Sequence, residues 1–456
     1  MAEVFTISDL LATGRDEAVA IGAPGRESLT YAGLRSHVKK TVAALNAVGL
    51  GRNDRVAIVL PNGPEMATAF VAIACAATTA PLNPAYRQEE FEFYLSDLKA
   101  KALVVEQGSS SPAVSAARKL GVPLLEIIAG SAAGAFRFAD ATVASGAADN
   151  GGLAGRDDIA LVLHTSGTTS RPKIVPLTHA NLYASAGNIR ETLALTADDR
   201  CLNVMPLFHI HGLMAAILAS LSSGASVVCT PGFNALKFFG WLDEAKPSWY
   251  TAVPTMHQAI LARAPRSKDI VAATKLRFVR SSSSSLPPQV MKALEETFST
   301  PVVEAYAMTE ASHQMTSNPL PPRPRKPGTV GVAAGPEVSI MSESGELLPQ
   351  GSVGEIVIRG DNVTLGYENN PKANAENFTN GWFRTGDQGV MDEEGYLTIT
   401  GRLKEIINRG GEKISPREVD DVLMDHPAVQ QVVTFAMPHP KLGEEVATAI
   451  VLREDQ

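Results

Sequence analysis

His164-Thr165-Ser166-Gly167-Thr168-Thr169-Ser170-Arg171-Pro172-Lys173 is the stretch on which the reading of this chain turns. Just upstream, Ile159-Ala160-Leu161-Val162-Leu163 is an unbroken apolar run, the pattern of a buried strand. It leads into five consecutive small or hydroxyl residues, Thr165 to Thr169. Such a loop offers backbone N–H groups and hydroxyl donors with little bulk. That suits a polyphosphate, whose oxygens only accept hydrogen bonds. Lys173 adds a positive charge on a flexible stem. A Ser/Thr/Gly cluster is in most chains only a surface turn; the strand before it and the basic residue after it favour a phosphate site here. A P-loop of the G-x-x-x-x-G-K-[ST] type is excluded in detail. Pro172 stands where the second Gly belongs, and Ile174 replaces the metal-binding hydroxyl. Pro172 and Pro176 also oppose a helix starting at this point. The expectation is a flap over a nucleotide rather than a cradle wound into a helix.

The composition sets the class. The chain has 456 residues, 45% apolar and 19% charged, which suits a globular protein of about three domains or subdomains. A net charge of −8 with interspersed signs argues against nucleic acid as the main ligand. Cys75, Cys201 and Cys229 are too few and too scattered for a disulfide frame or a zinc site, and suit a reducing compartment. No secretory signal is visible at Met1-Ala2-Glu3-Val4, and Glu454-Asp455-Gln456 matches no targeting tripeptide. The most apolar early stretch, residues 67–80, is too short to span a bilayer.

Taken in order, residues 34–48 carry Leu34, Val38, Val42, Leu45 and Val48 on one helical face. Residues 55–60 form a buried strand, 65–77 a helix and 102–105 another strand, so the first unit winds βα around a mostly parallel sheet. Residues 130–155, rich in Ala, Gly and Ser, form a loose connection. A second α/β unit has strands at 200–205, 225–229, 249–253, 276–279 and 301–306. Its polar clusters stand at the carboxyl ends of those strands, where ligands bind in open parallel sheets. From about Pro327, short strands alternate with Gly and Pro turns, as in a small antiparallel sheet or barrel. The pattern breaks after Tyr396-Leu397-Thr398-Ile399-Thr400, and residues 405–456 are too few to bury a good core of their own.

Several stretches together resemble the acyl-adenylate-forming superfamily of acyl-CoA synthetases, luciferases and adenylation domains. Thr165-Ser166-Gly167-Thr168-Thr169-x-x-Pro172-Lys173 is similar to its phosphate loop, with Ser170 and Ile174 where the family usually has Gly. Tyr306-Ala307-Met308-Thr309-Glu310 resembles Tyr-Gly-x-Thr-Glu, and Trp382-Phe383-Arg384-Thr385-Gly386-Asp387 the ribose motif. The stretch from Gly401-Arg402-Leu403-Lys404 to Asn408-Arg409-Gly410-Gly411-Glu412-Lys413 resembles the hinge and the CoA-facing loop. The resemblance implies an N-terminal adenylate-forming domain over residues 1–402. That domain would hold two doubly wound α/β subdomains and a small β-barrel subdomain. A small mobile α+β domain would follow from residue 403. It also implies ATP (as AMP after reaction), Mg²⁺ and CoA as ligands, a monomer or weak homodimer, and a cytoplasmic or peroxisomal enzyme. Lys173, His209, Thr309 and Glu310 are the implied catalytic residues. Glu310 and Thr165 would hold the metal. The phosphate-loop residues, Ser283, Glu304, Ala305, Tyr306, Asp387, Arg402, Lys404, Gly410 and Gly411 would face nucleotide or CoA. The family's Pro-Lys-Thr-x-x-Gly-Lys segment does not occur before Gln456, so the second domain is expected to be incomplete in residues 403–456.

The acid is read from the acyl site. A pocket for fatty or aromatic acids should be lined by Gly, Ala and aromatic residues. Here the segment after Val279 is Arg280 followed by five serines, and the one after Glu310, expected to be helical, is Ala311-Ser312-His313-Gln314. Arg280, Ser283, His313 and His209 suit a small, charged acid. The surrounding sequences are similar to those of plant and fungal oxalyl-CoA synthetases, which implies oxalate. Three alternatives stay open: a ligase for another short-chain or aromatic acid, an amino-acid-activating domain, and a nucleotide-binding module without chemistry.

Overall fold

The computed structural model describes residues 5–139, 146–165, 172–424, 426 and 428–452. Two large sheets carry most of the chain. The first has seven strands in the order Phe136–Phe138, Leu124–Ala129, Ala102–Glu106, Arg55–Ile58, Thr78–Pro81, Ile159–Thr165 and Lys173–Thr178. Its five inner strands are parallel and the two edges antiparallel. The second has nine strands. Six parallel ones form its centre: Val302–Met308, Phe278–Ser282, Trp249–Ala252, Arg200–Asn203, Ser226–Cys229 and Val19–Gly22. His313–Ser317 and Val332–Ala333 flank them on one side and Leu29–Thr30 on the other, all antiparallel. Strands covered on both faces need apolar residues at every position, which is why these runs do not alternate.

The helix Pro64–Ala74 is buried at every position but Glu65 and touches strands of both sheets. A helix that is apolar all round belongs inside a protein. It stops at Ala74, short of the expected residue 77, because the chain turns into the strand Thr78–Pro81. No helix among the described residues is long and apolar enough to cross a membrane. The three cysteines are buried and free.

Two sequence expectations are corrected. The strand expected to end at Val279 continues to Ser282, so Arg280, Ser281 and Ser282 lie inside the sheet and not in a loop. The segment after Glu310 is a single 3₁₀ turn, Thr309–Ala311, followed by the strand His313–Ser317, not a helix. Ser312 and His313 have φ of 49° and 100°, which reverses the chain so that it pairs antiparallel with Val302–Met308.

The later part forms two smaller sheets. Glu337–Met341, Val353–Arg359, Trp382–Met391, Phe378–Thr379 and Leu397–Arg402 make an antiparallel five-stranded sheet. No pairing among the described residues closes it into the expected barrel. Ile407–Arg409, Glu412–Ile414, Val429–His439 and Gly443–Leu452 make a separate four-stranded sheet with the helix Pro416–Met424. Arg417 Nη1 donates to the Ile399 carbonyl at 2.8 Å, and Ser415 Oγ to that of Thr400, so this helix sits against the five-stranded sheet.

A buried histidine ties the layers together. His179 Nδ1 accepts from the Ile7 amide at 3.2 Å, and its Nε2 donates to the Ala74 carbonyl at 3.0 Å. The ring is therefore neutral. Burial pulls His179, like His37 and His257, down to about 4. The unfolded chain binds these protons below about pH 6.5 while the folded chain does not, so stability is full above that value and falls as pH drops toward 4. The expected outcome is a lower urea midpoint at pH 5 than at pH 7.5, each histidine contributing about 2 kcal/mol to the loss. His179→Gln should flatten part of that slope; an unchanged midpoint across the range would contradict the assignment.

Candidate active site

The expected phosphate end is built on two paired strands. Ile159–Thr165 and Lys173–Thr178 pair antiparallel, with Thr165 opposite Lys173. Residues 166–171 thus join two neighbouring strands, and the second is an edge strand, where Pro176 leaves no ladder bond unmade. Ser166, Gly167, Thr168 and Thr169 lie outside the described residues. Lys173 Nζ stands 4.3 Å from the centre of the Tyr367 ring. The Tyr367 hydroxyl donates to Glu310 Oε1 at 2.7 Å. Glu310 is buried in the turn Thr309–Ala311, and its carbonyl accepts from the Thr364 amide at 2.7 Å. Burial raises the Glu310 pKa, and the Tyr367 hydrogen bond opposes that rise.

Among the described residues, no group of three or more His, Cys, Asp or Glu side chains is placed to cage a metal. One buried carboxylate with one oxygen taken fits Mg²⁺, which leans on substrate phosphates and water with one or two protein oxygens.

The next cleft, of about 330 Å³, lies between the nine-stranded and five-stranded sheets. Ser283, Glu304, Ala305, Tyr306, Asp387 and Arg402 all line it, so the expected nucleotide residues converge. The Tyr306 hydroxyl donates to Asp387 Oδ2, and Arg402 Nε donates to Oδ1 at 3.1 Å. Burial and the neighbouring Asp387 push the Tyr306 pKa well up, so the phenol stays a donor. Each Asp387 oxygen keeps a lone pair that a sugar hydroxyl could use. Gly386 has φ of 77°, and open space surrounds the position of a Cβ there, so the backbone turns past the cleft unobstructed. Pro416 and Arg417, at the start of the helix Pro416–Met424, close one side.

Beyond Ser283 lies a buried polar cluster. Arg280 is fully buried; its Nη2 donates to Gln314 Oε1 at 3.2 Å, and its Nη1 lies 3.4 Å from His211 Nε2. With Nε2 accepting, His211 Nδ1 carries the proton and donates to Ser283 Oγ at 2.9 Å. Thr251 Oγ1 completes the contact to Nε2 at 2.6 Å. The His313 ring stacks on that of His211 with centroids 4.9 Å apart. Both His313 nitrogens, Arg280 Nε and Ser281 Oγ are buried and have no protein partner. Burial first, then the Arg280 charge, holds both imidazoles well below their usual pKa. Burial lowers Arg280 to about 9, so it stays charged at neutral pH. Ser283 and His313 adopt φ of 73° and 100° without being glycine, the kind of local strain that concentrates at functional sites.

The structure separates some expected residues from this cluster. His209 is exposed beside the Phe208 ring, while His211, two residues on and facing Arg280, opens a buried π-helical segment, His211–Leu218. Lys404 is exposed, and Gly410 and Gly411 form the turn between Ile407–Arg409 and Glu412–Ile414. Tyr367, Thr251 and the hydrogen-bonding role of His211 escaped the sequence reading. The one available signal was the second imidazole in Pro206-x-x-His209-x-His211-Gly212.

Residues 11–368 match the AMP-binding enzyme family. The chain is 47% identical to an oxalate–CoA ligase of Arabidopsis thaliana over 441 residues, 95% of this chain and 86% of that protein. It is 45% identical to an oxalate–CoA ligase of Saccharomyces cerevisiae, covering 89% and 78%. The crystal structure of ATP-bound MatB from Rhodopseudomonas palustris superposes with a TM-score of 0.87 at 28% identity, covering 100% of this chain and 90% of that one. These matches, over a fold that brings the expected motif residues into one cleft, lead to one conclusion: the chain belongs to the AMP-binding enzyme family.

Proposed function

We propose that this enzyme joins oxalate to CoA at the expense of ATP, through an acyl-adenylate. The observation that carries the acid is the buried cluster, where Arg280 and His313 hold unpartnered nitrogens beside the nucleotide cleft. A guanidinium removed from water needs an anion, and none of the described residues supplies one. A second carboxylate on a two-carbon acid is the group that fits. The names of the relatives in A. thaliana and S. cerevisiae support the same acid.

In this reading, Arg280, His313 and Ser283 hold the distal carboxylate, and His209 lies at the mouth. The proximal carboxylate oxygen attacks the α-phosphorus, and the bond to pyrophosphate breaks. Thr309 and Lys173 bind phosphate oxygens. Glu310 and Thr165 would hold Mg²⁺, which would neutralise phosphate charge when bound. Asp387 and Arg402 fix the ribose against Tyr306, with Glu304 and Ala305 beside the base. The CoA thiolate then attacks the acyl carbon and AMP leaves. Positioning and charge neutralisation supply the rate, and no protein nucleophile is needed. Residues 1–402 act as the adenylating domain. Residues 403–456 move about a hinge at Lys404, bringing Gly410 and Gly411 toward the pantetheine arm.

The deciding experiment is pyrophosphate release with ATP, Mg²⁺ and a panel of oxalate, malonate, acetate, benzoate and amino acids. Oxalate should lead; a monocarboxylate in first place would overturn the acid assignment. His313→Ala should raise the oxalate KM roughly 30-fold or more, the loss typical of a buried charge partner, with the ATP KM unchanged. Equal changes in both would remove His313 from the acid site. Glu310→Gln should slow pyrophosphate release roughly 10²-fold while AMP affinity stays near wild type. Parallel loss of AMP binding would contradict its assignment to the metal and phosphates.

A further inference from the structure

Lys173 and Glu310 carry opposite charges in one small region of low dielectric, yet no ion pair forms between them. The phenol of Tyr367 stands between: Lys173 Nζ lies over its face at 4.3 Å, and its hydroxyl donates to Glu310 Oε1 at 2.7 Å. Tyr367 is itself buried. Its backbone is pinned on both sides by one residue, its amide donating to Asn374 Oδ1 at 2.7 Å and its carbonyl accepting from Asn374 Nδ2 at 2.9 Å. The adjoining Glu368 amide donates to the Ile174 carbonyl at 3.0 Å, and the Glu368 carboxylate pairs with Arg55. The segment is thereby fastened to the root of the phosphate hairpin. The ring edge also meets Phe383, with centroids 6.3 Å apart.

We infer that Tyr367 is a positioning residue that keeps the Lys173 ammonium and the Glu310 carboxylate apart, so that both charges stay available to the triphosphate. Opposite charges in such a site attract by several kcal/mol at short range. Once paired directly, each would be neutralised by the other, and the nucleotide would have to break that pair before binding. An aromatic face satisfies an ammonium without removing its charge. A phenolic O–H satisfies one carboxylate oxygen and leaves the other to a ligand. The tyrosine thus meets both needs with one side chain. This inference rests on the reading that Lys173 and Glu310 handle the phosphates.

The test uses Tyr367→Phe, which keeps the ring and removes the hydroxyl, and Tyr367→Leu, which removes both. Binding of AMP and of α,β-methylene-ATP is measured with metal chelated and with Mg²⁺ added, alongside pyrophosphate release and the thermal midpoint. Tyr367→Phe should fold, bind AMP as wild type does, and lose roughly tenfold of the analogue affinity that Mg²⁺ adds, the effect of one charged hydrogen bond. Its kcat should fall with the oxalate KM unchanged. Tyr367→Leu should also weaken the metal-free analogue relative to AMP, because Lys173 collapses onto Glu310. A purely structural tyrosine would lower the thermal midpoint and leave the ratio of analogue to AMP affinity as in wild type; that result in both variants overturns the inference. Wild-type protein releasing no pyrophosphate with any acid would remove the ligase reading, while the binding measurements would still decide the role of Tyr367.

Discussion

A buried guanidinium has no carboxylate beside it. Arg280 is carried on a central strand of the nine-stranded sheet and is fully out of water. Leaving a charge there costs several kcal/mol unless it is solvated by protein dipoles. The neighbouring groups are arranged for that partial solvation. Gln314 offers its amide oxygen, and its Nε2 is spent on Thr192 and the Ala334 carbonyl, so the amide cannot flip away. His211 presents a bare ring nitrogen, held in that tautomer by Ser283. What remains is a cation with one N–H unpartnered and a histidine beside it with neither nitrogen used. Under the proposed reading, a small anion completes this cluster.

The neighbouring cleft is organised by a second constraint, the joint between sheets. Asp387 belongs to the five-stranded sheet, while Tyr306 belongs to the nine-stranded one, and the hydrogen bond between them spans the cleft. Arg402, at the end of the last strand before the chain enters the four-stranded sheet, bonds the same carboxylate. The chain therefore leaves the five-stranded sheet from a residue that lines the cleft. The helix Pro416–Met424 meets the cleft through Pro416 and Arg417, so it forms part of the cleft wall.

Much of this was legible in the sequence because it depends on local pattern. Unbroken apolar runs marked the parallel strands, and Pro172 with Pro176 argued against a helix after the loop, though not for the antiparallel pairing that follows. The motif around Tyr306 and the one around Asp387 named residues that line one cleft. What the sequence hid is long-range. Arg280 and Ser281 read as loop residues because polar side chains are unusual inside a strand; only the pairing with Val303 and Glu304 puts them in the sheet. The positive φ of Ser312 and His313 turned an expected helix into a strand, and nothing in Ala311-Ser312-His313-Gln314 announces it. The sequence weighting favoured His209, but the turn of the π-helical segment gives the cluster to His211. Tyr367 lies almost two hundred residues from Lys173, and no spacing rule connects them.

The central claim is that a carboxylate oxygen of oxalate attacks the α-phosphorus of ATP. It is tested most directly by running the reaction with oxalate labelled with ¹⁸O in all its oxygens and weighing the products. The account predicts one heavy oxygen in each AMP formed, carried over when CoA displaces it, and none in pyrophosphate. Unlabelled AMP, or label in pyrophosphate, would contradict it.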